Sequence, residues 1–319
     1  MIRTALFAAA MAVLPATAAS QQFPLRPVRM VVPLTPASGA DIAGRIVGRQ
    51  LTDAWKQTVV VDNRPGAGGQ IGTQLVVRSA PDGYTLLVQS SSHAVNPSIY
   101  KNLPYDSLKD LADVASLGST PYAMVTSPSG PYRPLKALID AAKAKPGEVP
   151  FASAGVGTST HLTGEYFAQS AGVKLIHVPF KGSGEALQDV AAGRVAFYMA
   201  PINASIGLIR ENRIAVLGVA NAKRISMLPN VPTIAEQGLP GFEMEVWFGV
   251  WAPAATPQPV LQKLAADIRA AMAAPDVREQ YAKLGIEPGT LFLGDFARFV
   301  RAEVAKYEKV VKRAEIPPM

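Results

Sequence analysis

The sequence predicts an α/β fold with mostly parallel sheets, arranged as two α/β lobes around a central ligand cleft. Three observations predict it. Short β-branched runs alternate with segments of helical periodicity, most of these runs stop at a loop of glycine and hydroxyl residues, and the pattern begins afresh after Tyr122. In such folds ligands sit where loops leave the carboxyl ends of parallel strands.

The first set begins with a β-branched run at 28–33, which ends in Thr35-Pro36-Ala37-Ser38-Gly39-Ala40-Asp41. Ile42, Ile46, Val47 and Leu51 then fall on one helical face, and Asp41 reads as that helix's N-cap. A strand at 58–61 closes on Asn63-Arg64-Pro65-Gly66-Ala67-Gly68-Gly69. A helix through 74–78, the turn Pro81-Asp82-Gly83 and a strand at 84–88 follow, the strand ending in Gln89-Ser90-Ser91-Ser92-His93.

The second set has strands at 122–126, 149–152, 175–178, 196–199 and 214–219, with a helix at 135–144. Its central loop, within Phe-Ala-Ser-Ala-Gly-Val-Gly-Thr-Ser-Thr-His at 151–161, leads into a helix. Thr256-Pro257 reads as a helix start with N-cap and N1 proline, after which Leu264, Ile268 and Met272 face one way. A last amphipathic helix carries Phe296, Phe299, Val300, Glu303, Val304, Tyr307, Val310 and Val311. The candidate crossings between lobes are 122–127 and 247–253, giving lobe one as 20–121 plus 248–319 and lobe two as 122–247. The loops at 35–41, 89–93, 153–161 and 181–184 then surround a single cleft.

Residues 1–19 read as a secretory signal peptide: Arg3, a short apolar stretch, then Ala16-Thr17-Ala18-Ala19 at the cleavage site. The 319-residue chain has no cysteine, hence no disulfide, thiolate chemistry or lipobox, and a bacterial periplasmic address follows. The net charge of +7 comes from scattered rather than clustered basic residues, which excludes a nucleic-acid partner and favours acidic solutes.

Catalytic and nucleotide patterns fail on spacing. Gly66 and Gly68 would need a third glycine at Ile71; Gly155 and Gly157 would need one at Thr160; Lys181-Gly182-Ser183 reverses the phosphate-loop order. A nucleophile elbow is broken by His161 in Gly157-Thr158-Ser159-Thr160-His161. His177 ends an apolar strand, as a packed or cleft-lining residue. His161 and His93 either donate to a ligand or bond a neighbouring loop. Three separated histidines give no metal spacing. Trp247, Phe248 and Trp251 are read as core rather than as a ligand wall. Donor-rich glycine loops at helix starts remain, and these suit an anion, most simply a carboxylate.

The ordered landmarks Asn63-Arg64-Pro65-Gly66-Ala67-Gly68-Gly69, Pro81-Asp82-Gly83-Tyr84-Thr85-Leu86-Leu87, Asn96-Pro97-Ser98-Ile99-Tyr100, Leu228-Pro229-Asn230-Val231-Pro232-Thr233 and Trp247-Phe248-Gly249 with Ala252-Pro253 span the mature chain. It resembles the periplasmic solute receptors of tripartite tricarboxylate transporters, the Bug-type extracytoplasmic receptors. That resemblance implies a type II periplasmic-binding-protein fold closing on a small mono-, di- or tricarboxylate or aromatic acid. It also implies membrane permease partners and no cofactor; a monomer is expected. By the resemblance, Ser38, Gly39, Ala40 and Asp41 hold the ligand from lobe one with Ser90 and Ser91. Ser153, Gly157, Thr158, Ser159 and His161 answer from lobe two, with Gly182 and Ser183 nearby. Many members place an acidic residue after the strand at 196–199, where this chain has Ala200-Pro201-Ile202-Asn203, which argues against an amino-acid ligand. The competing functions are a ligand-sensing partner of a signalling receptor and a secreted hydrolase using Ser159 with His161.

Overall fold

Apart from the run at 122–126, the β-branched runs become strands within two residues of their expected places in a computed structural model that describes residues 23–313. The expected signal peptide lies outside the described residues. β1 (Val28–Val32) is nearly all buried and feeds α1 (Gly39–Trp55), whose Ala43, Val47 and Leu51 turn inward. β2 (Val59–Asn63), α2 (Gln70–Val77), β3 (Thr85–Ser90) and α3 (Ser92–Ile99) follow. β2 and β3 flank β1 in parallel. The helix expected at 74–78 begins earlier, at Gln70, directly behind the glycine loop.

β4 (Leu111–Thr126) is far longer than the strand expected at 122–126. Residues 111–121 include Asp113, Gly118 and Pro121, weak strand formers, so local propensity conceals the strand. Tertiary pairing makes it. Leu111 to Pro121 pair antiparallel with β9 (Glu245–Pro253), whereas Tyr122 to Thr126 pair with β7 (Phe197–Pro201) and β8 (Ala215–Val219). Pro121 stands at the changeover, where a missing backbone N–H disturbs the ladder least. The stretch 247–253 does not itself cross, because β9 pairs β3 as well as β4 and stays within the first sheet.

In the second lobe α4 (Leu135–Ala144), β5 (Pro150–Ser153), α5 (Ser159–Ala171), β6 (Ile176–Pro179), α6 (Ser183–Ala191) and α7 (Ile202–Arg210) complete the set. β5 pairs β6 and β7 in parallel, and the path through both sheets is β2-β1-β3-β9-β4-β7-β5-β6. The chain then returns through α8 (Gln258–Ala273), α9 (Pro275–Leu284), β10 (Glu287–Pro288) and α10 (Gly294–Arg313). At α8 the hydroxyl of Thr256 donates to the Pro253 carbonyl instead of capping, so helix begins only after Pro257. Among the described residues no helix is long and apolar enough to cross a membrane.

The core of the first lobe is aromatic. Trp247 and Trp251 flank Gly249 on one face of β9, and the Phe296 ring of α10 fills the gap a side chain at 249 would take. Both indole N–H groups are satisfied: Trp247 donates to Glu303 at 2.9 Å and Trp251 to Asp113 at 2.8 Å. Glu303 is the polar member of the last helix's apolar stripe, and this bond is why it can be buried there. Trp251 is wholly buried, so Trp251→Ala should destabilise the fold by roughly 3–5 kcal/mol through cavity formation and an orphaned Asp113. Urea denaturation measures this; a loss below ~1 kcal/mol would mean that the cluster collapses around the gap.

Candidate functional site

Strand-to-helix loops of both lobes bring helix amino ends to one place. α1 starts behind Ser38, α3 beside Ser92, α5 behind Thr158, α6 behind Gly182 and α7 behind Pro201. First-turn N–H groups have no intrahelical acceptor and sit at the positive end of the helix dipole. Five such ends around one point gather backbone donors of the kind that suit an anion. Between them lies a cavity of about 20 Å³, room for one water-sized sphere. Its wall contains neither an acidic nor a basic side chain.

Eight expected residues line this cavity: Ser38, Gly39, Ala40 and Ser90 from one lobe, and Thr158, Ser159, Gly182 and Ser183 from the other. Most of their hydroxyls are already engaged. Ser38 accepts from the Asp41 N–H at 3.4 Å, Thr158 donates to the Gly155 carbonyl at 2.7 Å, and Ser183 bonds the Tyr198 hydroxyl at 3.0 Å. Burial raises Tyr198 to about 12, so it remains a neutral donor. The first-turn N–H groups of Gly39, Ala40 and Ser183 are backbone donors at this wall, beside the hydroxyls of Ser38 and Ser159, whose oxygens accept from Asp41 and Tyr122 and whose protons can still be donated.

The other five expected residues stand behind the wall. Asp41 is not the N-cap; Ser38 is. The buried Asp41 carboxylate accepts from the Ala37 N–H at 2.9 Å, from Arg45 Nε at 3.0 Å and from Asn63 Nδ2 at 2.9 Å, bracing the loop that carries Ser38. Ser91 donates its N–H to the Trp247 carbonyl at 2.8 Å. Ser153 Oγ lies 2.6 Å from His177 Nε2 and accepts the Gly155 N–H. His161 Nδ1 accepts the Gly157 N–H at 3.3 Å, a bond to its neighbouring loop, and its ring stacks on His177 at 4.0 Å. Gly157, at φ 77°, presses its backbone on Tyr100 so closely that a β-carbon would stand 2.2 Å from the Tyr100 hydroxyl.

Ser159 and His161 do not form the pair a hydrolase would need. Ser159 Oγ accepts from the Tyr122 hydroxyl at 2.8 Å while His161 turns to Gly157. Among the described residues no three His, Cys, Asp or Glu side chains gather as metal ligands.

The lobes touch directly. The Ser159 N–H donates to Ser92 Oγ at 2.9 Å, Asn203 Nδ2 to the Gly39 carbonyl at 3.2 Å, and the Tyr100 hydroxyl to the Val156 carbonyl at 2.9 Å. A β-carbon on Gly182 would lie 1.7 Å from Thr35 Oγ1. Ser92, Asn203, Tyr100 and Thr35 are the functional residues that sequence reasoning missed. The run Ser90-Ser91-Ser92 marked the place, but only the turn into α3 decides which hydroxyl faces the other lobe. Beyond these contacts opens an outer chamber of about 530 Å³ that shares Leu34, Thr35, Ala154 and Thr158 with the cavity wall.

Two expectations follow. Gly182→Ala should hold the lobes apart, raising the radius of gyration in small-angle X-ray scattering with circular dichroism unchanged; an unchanged radius would mean that Thr35 yields instead. The histidines set a pH dependence. Burial and the neighbouring His161 hold His177 down at about 3, and burial holds His93 at about 4, against an ordinary 6.5. Below pH 6.5 the unfolded chain takes up protons that the folded one refuses, so stability falls as pH drops from 6.5 towards 4. The melting temperature should decline over that window, and less steeply in His93→Gln/His177→Gln; equal slopes would assign the decline to other groups.

The chain matches the model of the tripartite tricarboxylate transporter family receptor over residues 43–316. It is 40% identical over 290 residues to the UPF0065 protein in the tcbD-tcbE intergenic region of Pseudomonas sp. (strain P51), covering 91% of this chain and 86% of the relative. To protein BugT of Bordetella pertussis it is 37% identical over 299 residues, covering 93% and 92%. Among solved structures it is similar to R. palustris Rpa4515 with adipate, with TM-score 0.89 and 33% identity over 93% of this chain and 100% of that one. It is also similar to MatC (Rpa3494) from Rhodopseudomonas palustris with bound malate, with TM-score 0.85 and 29% identity over 91% and 100%. The expected two-lobed periplasmic-binding-protein fold is the one these neighbours have. A solute-receptor family model spanning most of the sequence, together with full-length relatives at these identities, means that this chain belongs to the tripartite tricarboxylate transporter receptor family.

Proposed function

We propose that this chain is a periplasmic receptor that captures a small organic carboxylate and delivers it to the membrane permease of a tripartite tricarboxylate-type transporter. The observation that carries this reading is the meeting of five helix amino ends at a cavity whose wall holds no charged side chain. An anion there receives charge-assisted N–H bonds and meets no carboxylate that repels it. The adipate and malate in the neighbouring structures support the same class of ligand.

On this reading the carboxylate contacts Gly39, Ala40, Ser90 and Ser38 from lobe one, and Thr158, Ser159, Gly182 and Ser183 from lobe two. Asp41, Ser91, Ser153, Gly157 and His161 act behind them by holding the loops. The lobes divide at 121/122 and, on the return, ahead of β9 rather than at the expected 247/248, beside the register pair Pro121–Glu245. Residues 1–19 direct export, and the mature chain works as a monomer without a cofactor. A catalytic role finds little support: the serine–histidine contact that does exist, Ser153 with His177, rests on a base held at about 3, too weak to act at neutral pH.

The cavity of about 20 Å³ is too small for an organic acid, so the lobes must part for entry and close again around the ligand. A thermal-shift screen of mono-, di- and tricarboxylates, aromatic acids and amino acids tests the reading. A ligand present at a hundred times its Kd should add about 2.7 kcal/mol of stability. No response to any acid would reject the receptor assignment, as would turnover of an acid that is lost in Ser159→Ala.

A further inference from the structure

Away from the cavity and its outer chamber, the surface of lobe one carries a groove for which ligand capture leaves no role. It lies between the end of α8, the start of α9 and the chain that leads from β10 to α10, and its volume is about 570 Å³. Its floor is apolar, with Met272, Pro288 and Phe292, while the guanidinium groups of Arg269 and Arg278 stand on its walls. Both arginines are exposed, and neither pairs with a carboxylate among the described residues. No acidic side chain lines the groove. Arg269 is also held in place, its guanidinium carbon lying 4.2 Å from the centre of the Phe292 ring. Such a cation–π contact positions the planar fork and leaves its N–H donors unused, so a carboxylate that pairs with it has less freedom to remove than at a loose surface arginine.

The other end of α9 abuts lobe two. Gly285, its C-cap, packs on Ile202, the first residue of α7, so closely that a β-carbon there would stand 2.8 Å from Ile202 Cγ2. Arg210, at the end of α7, donates to the Lys283 carbonyl at 3.2 Å. Next to Ile202 is Asn203, whose amide bonds the Gly39 carbonyl across the cleft. The ten-residue helix α9 therefore runs from the groove to a contact beside one of the bonds that close the lobes. A permease must tell loaded receptor from empty. A partner seated in this groove rests on the helix whose far end meets the lobe that moves.

We propose that this groove is the receptor's docking surface for its permease, and that it takes a periplasm-facing segment with acidic side chains flanking an apolar one. The carboxylates pair with Arg269 and Arg278, and the apolar side chain lies on Phe292 and Pro288. Charge complementarity selects this occupant, because two unpaired arginines repel a basic segment and find no counter-charge on a neutral one. The inference rests on the receptor reading, whose partner surface it locates.

The test places the photo-crosslinker benzoylphenylalanine at the exposed Ala273 of the purified mature chain, which is illuminated with membrane vesicles from the bacterium that encodes it. Mass spectrometry should find Ala273 joined to an acidic periplasmic loop of a tripartite-transporter permease subunit, whereas the same probe at Ala144, exposed on α4 of lobe two, should give no such product. Arg269→Glu/Arg278→Glu should lower the yield about tenfold or more. Arg78→Glu/Lys143→Glu, which changes net charge equally at exposed positions outside the groove, should leave it unchanged. Neither pair lines the cavity, so the stabilisation by acids in the thermal-shift screen should persist in both variants. No permease product at Ala273, a product joining two receptor copies instead, or a yield unmoved by Arg269→Glu/Arg278→Glu overturns the docking surface and leaves the receptor reading in place. A yield lowered equally by Arg78→Glu/Lys143→Glu overturns it too. Absence of any response to acids in the unaltered protein overturns the receptor reading, and this inference with it.

Discussion

A single antiparallel ladder, β4 against β9, is the constraint from which the site follows. β4 leaves this ladder at Pro121 and joins β7 and β8, so both lobes share one continuous strand. The parallel strands β1 and β3 then end on one side of the junction, and β5, β6 and β7 on the other. Parallel order forces each strand to hand over to a helix at its carboxyl end. The helix amino ends therefore collect at the junction as a consequence of topology. The aromatic cluster of Trp247, Trp251 and Phe296 anchors β9 and gives this arrangement its rigidity.

The protein handles charge with backbone. A lysine or arginine in the cavity would attract an acid more strongly, but it would also have to be desolvated on closure, at considerable expense in free energy. Helix N–H groups are already fixed and lose little freedom on binding. The buried charge nearest the site, Asp41, is neutralised by Arg45 and satisfied by Asn63 and the Ala37 N–H, so it holds the loop without projecting a free negative charge. The stacked His161 and His177 follow the same rule, since the low value at His177 keeps it neutral behind the loop at 153–161.

The lobes close on one another through Ser92–Ser159, Asn203–Gly39 and Tyr100–Val156. Each neutral bond contributes on the order of 1 kcal/mol, so closure is favourable by little and a ligand can shift it in either direction. A ligand bridging both sets of helix ends stabilises the closed state by its differential contacts, the quantity that matters for a permease that must tell loaded receptor from empty.

Local pattern alone determined a good deal. The β-branched runs located β1, β2, β3 and the strands of lobe two to within two residues, and the 3.6-residue periodicity of Phe296 to Val311 identified α10. Small residues at strand ends placed Ser38 to Ala40, Ser90, Thr158, Ser159, Gly182 and Ser183 around one cleft, because a strand-to-helix turn needs short caps and open backbone whatever lies across from it. What reaches across the gap was decided in three dimensions. The first half of β4 is a strand only because β9 pairs with it, and Asp41 exchanged an N-cap role for a brace once Asn63 and Arg45 came within reach. Tyr100, Asn203, Thr35 and Ser92 meet partners between 56 and 164 positions away in the chain or across the same gap, and no local periodicity records such distances. Periodicity reports which face of an element is buried; only the packed lobes decide what that face meets.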